Sequence, residues 1–110
     1  MYVRVARFEG RDTNAIDEQV ASMKSQIDAS RSGELPAGAP EQGQTLMDTV
    51  TRFMEFVDRD TGTTLGITFC ESEDDLRRAS AALDEMSPPE GTGHRTSVES
   101  YEVALDESFA

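Results

Sequence analysis

The chain opens on YVRVARF at 2–8, where β-branched and aromatic residues are interspersed with charged ones, and Glu9-Gly10 closes the run with a turn signal. That pattern predicts a strand. From Ile16 the period changes. Ile16, Val20, Met23 and Ile27 recur at spacings of four, three and four, one apolar stripe on a helix that Asn14 is expected to cap, with Asp17 three residues on. Residues 30–45, SRSGELPAGAPEQGQT, hold three glycines and two prolines and follow neither period, so about 30–48 reads as a loop. Connections are usually about four to six residues, and one this long is either mobile or functional, for example as a lid.

TVTRFMEFVD at 49–58 and TTLGITFCE at 63–71 read as two strands joined by a turn at Asp60-Thr61-Gly62, a β-hairpin. Ser72 then caps a helix with Asp75 at its third position, Glu73 and Asp74 lie favourably in the dipole of its first turn, and Leu76, Ala79, Leu83 and Met86 form its stripe. Pro88 and Pro89 end that helix. A second loop follows at 87–95, then a last strand, TSVESYEVAL at 96–105, and a short acidic tail at 106–110.

The order β-α-β-β-α-β predicts one α+β domain over 1–110 of ferredoxin-like type, a four-stranded antiparallel sheet with two helices on one face. Alternation along the strands assigns the apolar set, Val3, Val5, Leu65, Ile67, Phe69, Val103 and Leu105, to the helix side. Tyr2, Arg4, Ala6, Phe8, Thr64, Thr68, Cys70 and Glu102 would then point to the open face. The second strand resists sorting, because Phe53 and Val57 alternate with Met54 and Phe56, as in a strand covered on both sides. No element is left to supply a second cover, so a second copy of the chain, packed through the open sheet face, is the expected source.

Composition narrows the partners. Twenty-two acidic residues against ten basic give a net charge of −12, and residues 71–110 carry eleven acids against three bases. A field of that sign repels phosphate backbones, so no nucleic acid is expected. The mean hydropathy is −0.53 and no apolar run approaches the roughly 20 residues of a membrane span, so no membrane partner is expected either. The start of the chain has no leader pattern, and a single cysteine, Cys70, excludes an internal disulfide; both point to the cytoplasm.

Candidate chemistry is sparse, and no motif calls for a cofactor or metal. His94, the lone imidazole, sits beside Arg95 in the Gly-rich loop and is a possible general base or haem ligand, or simply a solvated loop residue. Arg4, Arg52 and Glu102 are expected to share the open face, where they either clamp a ligand carboxylate or pair with one another at an interface. Cys70 next to Glu71 reads as a structural thiol, since the neighbouring charge disfavours the thiolate. Tyr2 and Tyr101 offer phenolic donors on different strands. Glu73, Asp74 and Asp75 point about 100° apart on a helix and do not converge on one ion.

Through MYVRVARFEG, FVDRDTGTTLGITFCESEDDLRRA and SVESYEVAL the chain resembles the dimeric α+β barrel superfamily, in particular small proteins similar to antibiotic biosynthesis monooxygenases. The resemblance covers nearly the whole chain and implies a homodimer with two sheets packed face to face. It also implies a pocket between sheet and helices in each subunit, with cofactor-free oxygenation of a small aromatic or apolar ligand, or haem degradation, as activities. The catalytic asparagine and tryptophan of those enzymes have no counterpart: the chain has no tryptophan, and its one asparagine, Asn14, stands at the expected helix start. The catalytic residues stay open on that count. A non-catalytic dimerisation or regulatory module is the alternative.

Overall fold

A computed structural model describes residues 1–33, 41–86 and 91–109. The elements run β1 (Tyr2–Glu9), α1 (Ile16–Arg31), α2 (Glu41–Thr49), β2 (Val50–Asp58), β3 (Thr63–Cys70), α3 (Glu73–Glu85) and β4 (His94–Glu102). The strands form one antiparallel sheet in the order β2-β3-β1-β4. This is an α+β architecture compatible with the expected ferredoxin-like plan.

Among the described residues there are three helices where two were expected. The loop read over 30–48 contains α2, and residues 34–40 lie outside the described ones. Helix α2 shows little period of its own: Gly43 interrupts it, and it is held by short-range bonds, Gln44 to Asp48 at 2.9 Å and Thr49 Oγ1 to the Thr45 carbonyl at 2.7 Å. Leu46 gives it a tertiary anchor, packing with Val50 and Tyr2 around the buried Cys70, Leu76 and Ala79. Docking against α3 overrides weak local propensity.

Helix α3 starts as the sequence predicts, the Ser72 hydroxyl accepting from the Asp75 N–H at 3.0 Å. Helix α1 does not. Its first turn follows Ala15, which provides no side-chain cap, and the Asn14 N–H is itself bonded to Asp12 Oδ1 at 3.0 Å. Its stripe is buried only at Ile16.

The two faces of the sheet are exchanged relative to the sequence expectation. Cys70 packs against Leu76 and Ala79 of α3, and the Arg4 side chain bonds Ser80 and Asp84 of the same helix. The helix side therefore carries Tyr2, Arg4, Ala6 and Phe8 of β1, with register partners Cys70, Thr68, Gly66 and Thr64 on β3. The reason is close approach. Cys70 on the sheet meets Ala79 on α3, both wholly buried, and small residues let the layers come together. Val3, Val5, Leu65, Ile67 and Phe69 lie on the face turned away from the helices; Val3 is buried there and the other four are half-buried.

Two bulges tune which side chains reach which face. Between Val50 and Arg52 the β2–β3 register shifts by one residue, as it does between Arg7 and Phe8 against β4. One extra residue reverses the alternation beyond it. Phe53 and Glu55 thus join Val50 on the helix side, Arg52 turns to the open face, and Arg95 turns to the helix side.

Candidate functional site

Two buried arginines organise the layer between sheet and helices. Arg11, in the turn after β1, has its side chain only 3 % exposed and is paired with Glu55 of β2, itself 14 % exposed. The same guanidinium donates to Thr64 Oγ1 at 3.2 Å and to Gln19 Oε1 of α1 at 2.9 Å. The Arg11 N–H reaches the Gly62 carbonyl at 3.2 Å, and Gly62, at φ 75°, sits so close that a Cβ there would lie 2.8 Å from the Arg11 carbonyl oxygen. One residue thereby ties β2, β3, α1 and the hairpin turn together.

Arg4, on the central strand β1, has a side chain 5 % exposed. Its Nε–H donates to Ser80 Oγ at 3.1 Å, and a second N–H to Asp84 Oδ1 at 2.9 Å. Arg95 of β4 donates to that same Asp84 oxygen at 3.0 Å. Burial pulls the Arg4 guanidinium below its ordinary value and the neighbouring Arg95 adds to this, while the bond to Asp84 and its charge oppose them. Two cations thus lean on one carboxylate that is 52 % exposed.

The structure does not bring the sequence candidates together. Arg4 and Glu102 lie on the helix side, Glu102 opposite Tyr2 in the β1–β4 register, whereas Arg52 lies on the open face over the Phe69 ring at 5.9 Å from its centroid. The expectation that the three share the open face is corrected by the face exchange and by the β2 bulge. His94 opens β4 rather than lying in a loop; it is exposed and pairs with Glu9. Tyr2 packs beside the core cluster, and the exposed Tyr101 donates its hydroxyl to Glu99. Cys70 is wholly buried, and its thiol is pushed up by burial, with the Asp75 charge adding to the effect. Asp74 and Asp75 face Arg77 and Arg78 one helical turn on, and among the described residues no cluster of three or more His, Cys, Asp or Glu is arranged to hold a metal.

The chain matches no protein-family model and no curated protein sequence.

The residues that sequence reading passed over are Arg11, Glu55, Ser80, Asp84 and Arg95. A signal existed for two of them. Ser80 and Asp84 follow Leu76 at intervals of four, so α3 presents a polar line beside its apolar stripe, on the side turned toward Arg4. Arg11 and Glu55 are 44 residues apart, and their meeting depends on the β2 bulge.

The other face of the sheet is the second candidate surface. Its centre is Val5 paired with Ile67 on the two inner strands, flanked by Val3, Leu65, Phe69 and Met54. Phe56 is 45 % and Tyr101 51 % exposed at its two outer strands. Arg7, Arg52, Asp58 and Glu99 stand around it. An apolar centre with a charged margin is the anatomy of a protein interface.

Among the described residues no helix is long and apolar enough to cross a membrane.

Proposed function

We propose that this chain works as a homodimer of the dimeric α+β barrel type, a ferredoxin-like domain whose helix-free sheet face packs on that of a second copy. The layer between sheet and helices is left for a small ligand. The observation that carries the dimer is the apolar centre formed by Val3, Val5, Met54, Leu65, Ile67 and Phe69 on a sheet already covered by helices on its other side. Strands of 8 residues, rising about 3.3 Å per residue and spaced about 4.8 Å apart, make a face of roughly 26 by 19 Å. Side-chain relief raises its accessible area above that plan of about 500 Å², toward the ~800 Å² per partner of an ordinary specific interface. A two-fold axis through the Val5–Ile67 pair makes the contact self-complementary. The acidic charge and the single reduced-type cysteine suit a cytoplasmic setting for such a dimer.

Ile67→Lys tests the interface. The substitution places two like charges close to the axis in a desolvated site, and the dimer is expected to dissociate at micromolar concentration by light scattering coupled to gel filtration. Arg77→Glu on α3, away from that face, is expected to leave the mass unchanged. If Ile67→Lys keeps the oligomeric state of the parent chain, the proposed interface is wrong.

The non-catalytic reading, a dimerisation or regulatory module, is favoured by one observation. The buried polar groups of the helix layer already satisfy each other, Arg11 with Glu55, Thr64 and Gln19, and Arg4 with Ser80 and Asp84. Oxygen consumption with a reduced polycyclic aromatic substrate separates the two: turnover supports the monooxygenase-like chemistry that the resemblance implies, and none at stoichiometric enzyme supports the module.

A further inference from the structure

Residues 103–109 leave the sheet at the end of β4 and carry the most exposed large apolar side chains among the described residues. Phe109 is 101 % exposed and Leu105 79 %, against 51 % for Tyr101 on β4 itself. The Val103 N–H donates to the Met1 carbonyl at 2.9 Å, so the segment starts in line with the strand. Every residue from Ala104 to Phe109 is exposed, so the single chain does not cover the segment. Tyr101 pairs with Val3 in the register and thereby lies on the helix-free face, and Val103 and Leu105 follow it at intervals of two. Two large apolar side chains in water, on a stretch continuous with an apolar sheet face, mark a contact surface.

The register places the start of this segment. Glu102, Tyr2, Cys70 and Val50 stand side by side across the four strands. The last residue of β4 and the first of β2 therefore share one end of the sheet, at its opposite edges. A two-fold axis between two facing sheets, close to parallel to their strands, keeps that end and exchanges the edges. The segment of one copy then emerges beside Arg52 of the other. Arg52 is exposed on the helix-free side over the Phe69 ring and has no carboxylate partner among the described residues. Asp106 and Glu107, between the two apolar side chains, supply carboxylates. Seven extended residues span roughly 23 Å, whereas packed sheets lie about 10 Å apart, so the segment reaches the facing sheet.

Area points the same way. The plan of the helix-free face, about 500 Å², falls short of the ~800 Å² per partner of an ordinary specific interface. One buried phenylalanine adds about 150–250 Å², so Phe109 together with Leu105 closes most of the difference.

We propose that residues 103–109 form an arm that docks on a second copy of the chain, along the helix-free side of its β2. Leu105 and Phe109 pack along Met54 and Phe56 of that copy, and Asp106 and Glu107 face its Arg52. This rests on the homodimer proposed above and adds to it a contact outside the sheet face and the direction of the two-fold axis.

Sedimentation equilibrium of the full chain and of Leu105→Ser/Phe109→Ser provides the test. The double variant is expected to dimerise at least about tenfold more weakly, the scale of one large apolar side chain returned to water. Arg52→Glu is expected to weaken the dimer, and Asp106→Lys/Glu107→Lys to restore it in that background. In a mixture of isotope-labelled and unlabelled chain, filtered NOE spectra are expected to show the Phe109 ring of one copy against the Met54 methyl of the other. An unchanged dimer affinity in the double variant, or Phe109 cross-peaks confined to its own copy, overturns the proposal. Ile67→Lys keeps the two readings apart. A dimer split by Ile67→Lys but indifferent to the arm variant removes the arm alone. A dimer weakened by the arm variant but indifferent to Ile67→Lys removes the sheet-face interface alone, and a monomeric parent chain removes both.

Discussion

Replacing Glu55 with glutamine removes the charge that neutralises Arg11 while keeping nearly the same volume. Both partners are deeply buried, at 3 % and 14 % side-chain exposure, so the guanidinium left behind has little access to water. Breaking a buried pair from one side costs about 3–5 kcal/mol. Arg11 keeps its bonds to Thr64 and Gln19, which places the expected loss near the lower end, about 3 kcal/mol. For a domain of this length that corresponds to a fall in Tm of roughly 12 °C, at about 4 °C per kcal/mol. Urea unfolding of Glu55→Gln, Arg11→Met and the double variant Arg11→Met/Glu55→Leu reads the effect. Protein concentration is held fixed because association couples to folding. The double variant is expected to be more stable than either single one, since an apolar pair leaves no unmatched charge. A loss below about 1 kcal/mol for Glu55→Gln, the range of an exposed pair, or a double-variant loss equal to the sum of the single ones, refutes the reasoning.

Asp58 Oδ1 accepts from the backbone N–H groups of Asp60 at 2.9 Å and Thr61 at 3.3 Å, and these bonds hold its carboxyl below the usual range. A folded value below the unfolded one gives stability that is present above about pH 4 and lost as pH falls through the folded value; the stability gap between the parent chain and Asp58→Asn is therefore expected to close on acidification, and a gap that widens there contradicts this. Gly93 has φ 84°, and a Cβ would lie 2.2 Å from the Glu9 carbonyl oxygen, so Gly93→Ala is expected to cost at least about 2 kcal/mol in urea unfolding and to shift the amide signals of His94 and Arg95. An unchanged midpoint would falsify that. Cys70 is buried and its thiol is held above the ordinary range, so a thiol reagent at pH 8 is expected to modify it slowly in the native protein and fully in urea; immediate native labelling counts against the burial.

The strands and α3 were legible in the sequence because local signals agree there: alternation in YVRVARF, turn residues at Asp60-Thr61-Gly62, and the Ser72 cap. Helix α2 was not, since Gly43 weakens it locally and its stability comes from Leu46 docking into a core assembled by distant residues. The choice of covered face failed for a more general reason. Apolar side chains mark burial, but both faces of this sheet are suited to burial, one under helices and one, on the reading given above, under a second copy. Small residues decide between them: Cys70 packed on Ala79, with the buried Ala6 on the same face, shows where a helix can approach. The arginine networks lay further out of reach. Arg95 meets Asp84, and Glu55 meets Arg11, only after one-residue bulges that alternation cannot anticipate. The same bulge in β2 separates Arg52 from Arg4, so the group of Arg4, Arg52 and Glu102 came apart while Arg4 kept a partner of another kind.

Sedimentation equilibrium of the full chain tests the central claim, that the helix-free apolar face is covered by a second copy. The account predicts a species of twice the 12.1 kDa chain mass at micromolar concentration, converted to the monomer by Ile67→Lys. A parent chain that sediments at 12.1 kDa up to high micromolar concentration, with the Val5–Ile67 face in water, contradicts it.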